Sequence, residues 1–345
     1  SVAITDEFME AAKKGEKYWL RAAKGWSDGK GHNGKYKGGE KLKQLSASAV
    51  LEKIVDSAWR TGDPGLLFID VVNRSPANPV PRMGPVEATN PCGEQPLYPN
   101  EACNLGSINL AKMVKDGEID KQKLEKVVKL AVRFLDDVIE MNPFPIEEID
   151  KNVKLNRRIG LGVMGWADML FKLGIPYDSS QALILAKKVM RFIQDKGHLA
   201  SQELAKIRGP FPNFKDSIYR EGPAMRNATV TTIAPTGSIS IIAGVSSGIE
   251  PIFALAFTHK TEERTLKFVN PIFKKAVDRY KNKKEILSWV ETCGNLSGIK
   301  QAPEKLKTVF KTAHEINWRW HIKMQAAFQK YTDNAVSKTI NMPNS

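Results

Sequence analysis

The sequence has little cysteine and no long apolar run. Three cysteines in 345 residues are too few for the disulfide framework of a small secreted protein. No stretch approaches the roughly 20 apolar residues that a membrane-spanning helix needs. The N-terminus, Ser1 to Asp6, also lacks the basic and apolar regions of a signal peptide. We therefore expect a cytoplasmic protein without a membrane partner.

Acidic residues are scarce beside basic ones, 38 against 52, which gives a net charge of +14. Such a charge suits nucleic acid, an anionic small substrate or an acidic partner protein. The sequence contains no known nucleic-acid motif and no aromatic residues within a basic stripe, so we expect no nucleic-acid partner. Part of the excess lies on one helix, and we interpret it as a solvated face. The residues are Lys121, Lys123, Lys126, Lys129 and Arg133.

Apolar residues make up 42% of the chain, enough to bury a large core. Three- and four-residue spacing of apolar side chains and capping residues predict the helices, and β-branched or apolar runs predict the strands. Their alternation indicates an α/β fold. The predicted helices cover residues 6–14, 46–59, 121–141, 180–207, 270–280 and 318–330, and the predicted strands cover 66–72, 228–233 and 336–340.

Two segments are predicted to be irregular. Residues 24–43 contain six glycines and six lysines, which cannot supply a core, so we expect an exposed, mobile loop. No Gly-Lys-Ser/Thr closes it as a phosphate-binding P-loop would require. Residues 73–100 contain seven prolines, which exclude regular helix and central strand. A long irregular segment of this kind inside a compact domain is typical of a functional loop.

The first candidate site lies in that segment and just beyond it. The sequence Asn90-Pro-Cys92-Gly-Glu94 is followed by Cys103. In an extended stretch, residues 90, 92 and 94 share one face, which places an amide, a thiol and a carboxylate together. The carboxylate could act as a general base and the amide could orient a substrate hydroxyl. The alternative is that these are ordinary buried cysteines. Zinc is disfavoured because two cysteines without a CxxC are too few ligands.

The second candidate site is the turn Pro235-Thr236-Gly237-Ser238-Ile239-Ser240. A strand that runs into small residues at the start of a helix can present N–H groups and hydroxyls to a phosphate. Ordinary capping of the helix explains the same residues.

A third pattern, Gly160-Leu-Gly162-Val-Met-Gly165, fits the G-x-G-x-x-G spacing of dinucleotide-binding folds. That fold needs a strand before the glycines and an acidic residue about twenty positions later. Asp178 lies near that distance but in a turn that resembles a helix cap. We favour close packing of helices at these glycines over dinucleotide binding.

Taken together, these segments resemble the catalytic (large) subunit of ribonucleotide reductase, most closely its class II, adenosylcobalamin-dependent form. The matching stretches occur in the family's order over nearly the whole chain, apart from residues 24–43. They are ATNPCGEQPL (88–97), EACNLGSINL (101–110), NRRIGLGVMGWADML (156–170), TTIAPTGSISIIAGVSSGIEPIF (231–253) and MQAAFQKYTDNAVSKTINMP (324–343).

The resemblance implies that residues 1–345 form part of a ten-stranded α/β barrel with a central finger loop at residues 88–104. It implies that Cys92 carries a thiyl radical that takes the 3′-hydrogen of a ribonucleotide inside that barrel. Glu94 matches the base at the 3′-hydroxyl, Asn90 the amide that binds the substrate, and Cys103 one of two reducing thiols. The turn from Pro235 to Ser240 matches the loop that holds the substrate's phosphates. Cys293 matches no functional position, and we interpret it as structural.

The resemblance also implies partners. These are a ribonucleotide substrate, a thioredoxin-like or dithiol reductant, and the missing segments of the enzyme or a companion chain. The family's other redox cysteine precedes the segment where this chain begins, and its last barrel strand and tail cysteines follow Ser345. The alternatives are a class I subunit, which receives its radical from a partner metalloprotein, and a catalytically silent fragment that serves assembly.

We expect this chain alone to form no deoxyribonucleotide with adenosylcobalamin and dithiothreitol, because Cys103 lacks the thiol with which it would form a disulfide. Unpaired strands should also leave it poorly soluble. Adding the N-terminal segment with its cysteine and the C-terminal strand should restore folding and turnover. The measurement is deoxyribonucleotide formation by the lone chain and by the mixture. Robust turnover by the lone chain would make Cys293 the first candidate for the second thiol.

Overall fold

The computed structural model describes residues 1–21, 41–260 and 265–342. We number helices and strands in chain order. The strands are β1 Val2–Ile4, β2 Lys17–Arg21, β3 Lys41–Ser46, β4 Leu66–Phe68, β5 Ala88–Thr89, β6 Pro96–Leu97, β7 Asn104–Asn109, β8 Val114–Lys115, β9 Glu118–Ile119, β10 Ile159–Met164, β11 Ala256–Lys260 and β12 Thr265–Val269. The helices are α1 Asp6–Lys14, α2 Ala47–Thr61, α3 Ile69–Asn73, α4 Lys121–Met141, α5 Glu147–Asn156, α6 Trp166–Leu173, α7 Ser180–Arg208, α8 Gly237–Ala243, α9 Pro271–Val277, α10 Lys283–Cys293, α11 Glu304–Val309 and α12 Trp318–Gln329.

The centre of the fold is a row of four parallel segments. Strand β7 pairs with β10 along six residues. On its other side β10 bonds to residues 229–233, where the Leu161 N–H donates to the Val230 carbonyl at 2.7 Å. That segment bonds in turn to residues 334–337 through backbone hydrogen bonds and one parallel bridge, Ile233 with Val336. The α/β class is therefore confirmed, and the strands within the described ranges do not close into a barrel.

Two glycines let this row pack closely. A Cβ atom at Gly160 would lie 2.5 Å from the Gln95 side-chain amide, and one at Gly162 would overlap the Thr232 carbonyl oxygen. All six residues of β10 are buried. The prediction of close helix packing at these glycines was wrong, because they lie in a central strand and serve contact between strands. The same burial leaves no open surface for a dinucleotide's pyrophosphate.

The strands predicted at 228–233 and 336–340 are present only as extended chain with single bridges. Side chains take the place of ladder partners in both segments. The N–H groups of Val230 and Thr231 donate to the Asp333 carboxylate at 2.9 and 3.1 Å. The Thr339 N–H donates to the Glu250 carboxylate at 2.8 Å. Buried backbone donors need an acceptor, and a carboxylate satisfies them as well as a strand does.

Two other predictions were partly wrong. The strand expected at 66–72 ends at Phe68, and α3 follows at once. A short apolar run does not distinguish strand from helix, and here Leu66 and Phe68 are exposed. Residues 41–43 of the expected loop belong to β3, which pairs with β2 in an antiparallel hairpin. The remainder of that loop, residues 24–40, lies outside the described residues.

The long helices were predicted correctly. Helices α1 and α4 have the expected bounds, and α7 ends one residue later than expected. Helices α4 and α7 pack together over the parallel row, and their buried faces join its core. The basic residues of α4 are exposed, as expected of a solvated face. Helix α2 is capped by Ser46, whose hydroxyl accepts the Ala49 N–H, and α9 and α12 lie within the predicted ranges.

A separate apolar cluster lies after the parallel row. It is formed by the β11–β12 hairpin and helices α9 to α11, with Phe273, Val290 and Phe310 at its centre. It contacts the rest of the protein through α6. In the described ranges, none of the helices is long and apolar enough to cross a bilayer.

We expect Gly162→Ala to destabilise the fold by about 1–3 kcal/mol, because the added methyl overlaps backbone rather than a movable side chain. Gly106→Ala on β7 is the matched control. There the new Cβ lies 3.4 Å from a Leu135 methyl, an ordinary contact. Urea unfolding of both variants measures the difference. Equal midpoints for the two variants would contradict the close approach at Gly162.

Candidate active site

Residues 90–95 form a tight turn that joins β5 to β6. The Gly93 N–H donates to the Asn90 carbonyl at 3.0 Å, and Gly93 has a φ of 81°, which glycine adopts without strain. The Asn90 side-chain oxygen accepts the Gln95 N–H at 3.0 Å. The extended stretch expected from the sequence is therefore wrong, since a turn closes between residues 90 and 95.

The turn separates the three residues that were expected to share one face. Cys92 is exposed at the tip, whereas Glu94 is 2% exposed. The expected interior position of Cys92 is thus wrong for this chain, because the described strands do not close around the tip of the turn. The expectation holds for Glu94, which enters the row directly after the glycine.

Glu94 is held by its backbone and not by its carboxylate. Its carbonyl accepts a hydrogen bond from the Thr232 hydroxyl at 2.8 Å and from the Ala335 N–H at 3.0 Å. Its carboxylate atom Oε2 is buried and finds no hydrogen-bond partner among the described residues. The amide of the neighbouring Gln95 is likewise buried without one. Unpaired buried polar atoms are costly, and their presence beside a loop indicates a place for a polar ligand.

Cys103 lies immediately before β7 and close to these groups. Burial raises the pKa of its thiol to about 12, and the carboxylates of Glu101 and Glu94 raise it as well, against the opposing charge of Arg158. The thiol therefore stays protonated at neutral pH. Cys92 and Cys103 are both free thiols, one exposed and one half-buried.

The turn at residues 235–240 follows Thr232, which binds Glu94, by a few residues. Gly237, the first residue of α8, is five residues beyond Thr232. Five residues span at most about 18 Å, so the start of α8 lies within that distance of the residue that binds the Glu94 carbonyl. Thr236 adopts a left-handed φ of 59°, and its hydroxyl accepts the Gly248 N–H. The Ser240 hydroxyl bonds to Gly237 and Ser247. The exposed residues 237–239 carry N–H groups of the first helical turn.

Other candidates from the sequence lie elsewhere. Cys293 is exposed at the last position of α10, and its structural role stays a prediction. Asp178 forms an ion pair with Lys311 at 2.5 Å. Within residues 1–21, 41–260 and 265–342, no three His, Cys, Asp or Glu side chains are grouped to hold a metal ion.

Sequence reasoning missed the buried charges behind the loop. Arg158 is fully buried and forms an ion pair with Glu101 at 3.1 Å. Asp333 bonds to His198 at 2.9 Å. Burial alone would raise the pKa of Asp333, but the charge of His198 and its hydrogen bonds lower it to about 2. The two arginines directly before the glycine-rich strand, Arg157 and Arg158, were the available signal for the pair of Arg158 with Glu101.

The comparisons with known proteins agree with the motifs. The family model for the ribonucleotide reductase barrel domain matches residues 1–225 and 222–345. A vitamin B12-dependent ribonucleoside-diphosphate reductase of Thermoplasma acidophilum is 54% identical over 87% of this chain and 39% of its own length. One of Mycobacterium tuberculosis is 45% identical over 99% of this chain and 48% of its own length.

A solved structure shares the fold. The class Id ribonucleotide reductase alpha subunit of Actinobacillus ureae superposes with a TM-score of 0.71 and 25% identity, over 96% of this chain and 57% of that one. The chain thus spans less than half the length of the two curated relatives above.

The His198–Asp333 pair should make stability depend on pH. Burial lowers the pKa of His198, but the Asp333 charge and hydrogen bond outweigh it and raise the pKa above its ordinary value. Protonated His198 therefore contributes its full stabilisation of the fold below about pH 6.5. This stabilisation is lost as the pH rises through the folded-state pKa. His198→Gln should cost about 1.5–3 kcal/mol at about pH 5.5 and less at higher pH.

Thermal melting of the wild type and of His198→Gln, from about pH 5.5 to higher pH, measures this difference in stability. His314→Gln, at an exposed histidine, is the control and should show no such trend. A His198→Gln deficit that grows with pH would contradict the ion pair.

Proposed function

This chain belongs to the ribonucleotide reductase barrel-domain family, and we propose that it is part of a ribonucleoside-diphosphate or triphosphate reductase that makes deoxyribonucleotides by a thiyl-radical mechanism. One observation carries the proposal. A buried carboxylate with an unpaired oxygen, that of Glu94, lies on the same tight loop as an exposed thiol and beside a second, protonated thiol.

Cys92 is the proposed radical residue. Its place at the tip of a six-residue turn lets the sulfur reach a substrate that lies over the row of parallel segments. Its exposure in this chain gives a radical source access to the sulfur. We propose that the remaining strands of a ten-stranded barrel surround the loop, residues 88–104, in the complete enzyme and exclude water from the radical. The greater length of the relatives leaves room for those strands.

Glu94 is the proposed base at the substrate's 3′-hydroxyl. Its backbone is fixed at the carbonyl, while Oε2 is free to accept a proton or a hydroxyl hydrogen bond. Asn90 is proposed to bind the substrate through its amide nitrogen, because its side-chain oxygen is already used to close the turn. These hydrogen bonds hold the loop and leave the Glu94 carboxylate and the Asn90 amide nitrogen for the substrate.

Cys103 is proposed as one of the two reducing thiols. Reduction removes the 2′-hydroxyl as water and converts two thiols to a disulfide, so each thiol must deliver hydrogen. The raised pKa of Cys103 keeps its hydrogen on sulfur until then. The second thiol and the dithiol or thioredoxin-like reductant that restores the pair are proposed to come from other segments or partners.

Residues Pro235, Thr236, Gly237, Ser238, Ile239 and Ser240 are proposed to hold the substrate's phosphates. The hydroxyls of Thr236 and Ser240 already have partners within the protein. Phosphate contacts are therefore assigned to the N–H groups of the exposed residues 237–239.

Adenosylcobalamin is the proposed cofactor, since the relatives named above are vitamin B12-dependent. When bound, it supplies a carbon-centred radical that can take the hydrogen atom of a thiol. The exposed Cys92 sulfur fits a cofactor that approaches the loop from outside this chain. We place the protein in the cytoplasm, where free thiols persist.

A class I subunit is the second candidate, because the superposed structure is a class Id alpha subunit. The two differ in the source of the radical and not in the residues that use it. Turnover with adenosylcobalamin and no companion metalloprotein would establish the first, and turnover only with such a companion would establish the second.

In the complete enzyme, Cys92→Ser should lower turnover at least about a thousandfold while the substrate Kd is unchanged, because the sulfur acts in the reaction and not in binding. Glu94→Gln should cost about a hundredfold or more. Cys293→Ser is the control and should keep full activity. Deoxyribonucleotide formation and equilibrium binding of a ribonucleotide measure both effects. Normal turnover by Cys92→Ser would overturn the proposed function.

A further inference from the structure

Arg158 is a charged residue whose fully buried side chain connects three parts of the chain. Its guanidinium donates to the Glu101 carboxylate at 3.1 Å and to the Asn334 side-chain oxygen at 2.8 Å. It also donates to the Ala77 carbonyl at 3.0 Å. Its Nε atom finds no acceptor among the described residues. Burying an ion pair costs desolvation energy that can exceed its electrostatic attraction, so the pair alone does not show that Arg158 stabilises the fold. Its value lies in the residues that its geometry connects.

The first contact reaches the reducing thiol. Glu101, whose side chain is fully buried, lies two residues before Cys103. Its carboxylate also accepts the Tyr98 N–H at 3.0 Å and the Asn156 amide at 2.8 Å. Arg158 and these two donors therefore fix the segment that leads to Cys103.

The second contact reaches the base. Asn334 donates through its side-chain amide to the Thr231 carbonyl at 3.0 Å. The next residue, Ala335, donates its N–H to the Glu94 carbonyl. The chain that holds Glu94 is thus held, one residue away, by Arg158.

We propose that Arg158 is a positioning residue that fixes Cys103 relative to Glu94 by bridging Glu101 and Asn334. The effect of this positioning on catalysis rests on the proposed function, whereas the bridge between Glu101 and Asn334 does not. Arg158 does not contact a substrate, since its side chain is fully buried. The planar fork of arginine can serve two acceptors at once, whereas a lysine ammonium on a flexible stem cannot reproduce that geometry.

Arg157 provides a matched control. It is the adjacent residue and also buried, at 3% exposure. Its guanidinium bonds to Asp136 at 2.9 Å and to Glu140, both on α4, away from the loop. Arg157→Lys should therefore weaken the fold without changing the relation between Cys103 and Glu94.

The experiment compares Arg158→Lys with Arg157→Lys in the protein at its full encoded length. Alkylation of Cys103 by iodoacetamide, measured by mass spectrometry, is divided by that of the exposed Cys92 in the same sample. Arg158→Lys should raise this ratio about tenfold, because the segment before Cys103 is released. Arg157→Lys should leave it unchanged. In turnover, Arg158→Lys should lower kcat and leave KM unchanged.

Each outcome decides the matter. Equal alkylation ratios in both variants, or a fall in KM and kcat together in both, would overturn the positioning role. If Arg158→Lys raises the alkylation ratio but the wild-type protein shows no reductase activity, the result supports the bridge and rejects the proposed function. If Arg158→Lys does not fold, Glu101→Gln carries the test, since it breaks the same ion pair and keeps the shape of the side chain. An unchanged ratio in Glu101→Gln overturns the proposal.

Discussion

The parallel row depends on one buried carboxylate, that of Asp333. It accepts the N–H groups of Val230 and Thr231 where a neighbouring strand would otherwise supply carbonyls, and it also accepts donors from Gln194 and His198 on α7. A carboxylate in the interior is tolerated only when its lone pairs are used. Four donors use them here, which ties α7, the segment 229–233 and the chain that holds Glu94 into one unit.

The loop could not lie where it does if β10 carried side chains at Gly160 and Gly162. The absence of a Cβ at these positions lets the Gln95 amide and the Thr232 backbone approach the strand. Thr232 can then donate to the Glu94 carbonyl. Strand packing and placement of the loop are therefore a single requirement. The carboxylate of Glu94 takes no part in it, which leaves that group unpaired beside the proposed substrate position.

The two thiols of the loop region have different surroundings. Cys92 is exposed on a turn stabilised by its own backbone. Cys103 is half-buried among the charges of Glu94, Glu101 and Arg158, and its pKa is raised to about 12. An accessible sulfur suits transfer of a radical from a source outside the loop. A protonated sulfur beside the proposed base, Glu94, suits delivery of hydrogen. The two thiols differ because Cys92 lies on the turn between β5 and β6, whereas Cys103 lies outside that turn, immediately before β7.

The sequence by itself determined the long helices, the irregular proline-rich segment and the identity of the candidate residues. These rest on local signals, namely apolar periodicity, capping residues and proline, together with motifs in a fixed order. Only the tertiary structure decided that Asn90 to Gln95 form a turn, that Gly160 and Gly162 lie in a central strand, and that Arg158 bridges Glu101 and Asn334. The last two features depend on contacts between residues far apart in the chain, such as Arg158 with Asn334. No local pattern encodes a partner 176 positions away, because burial and close approach exist only once the chain has folded.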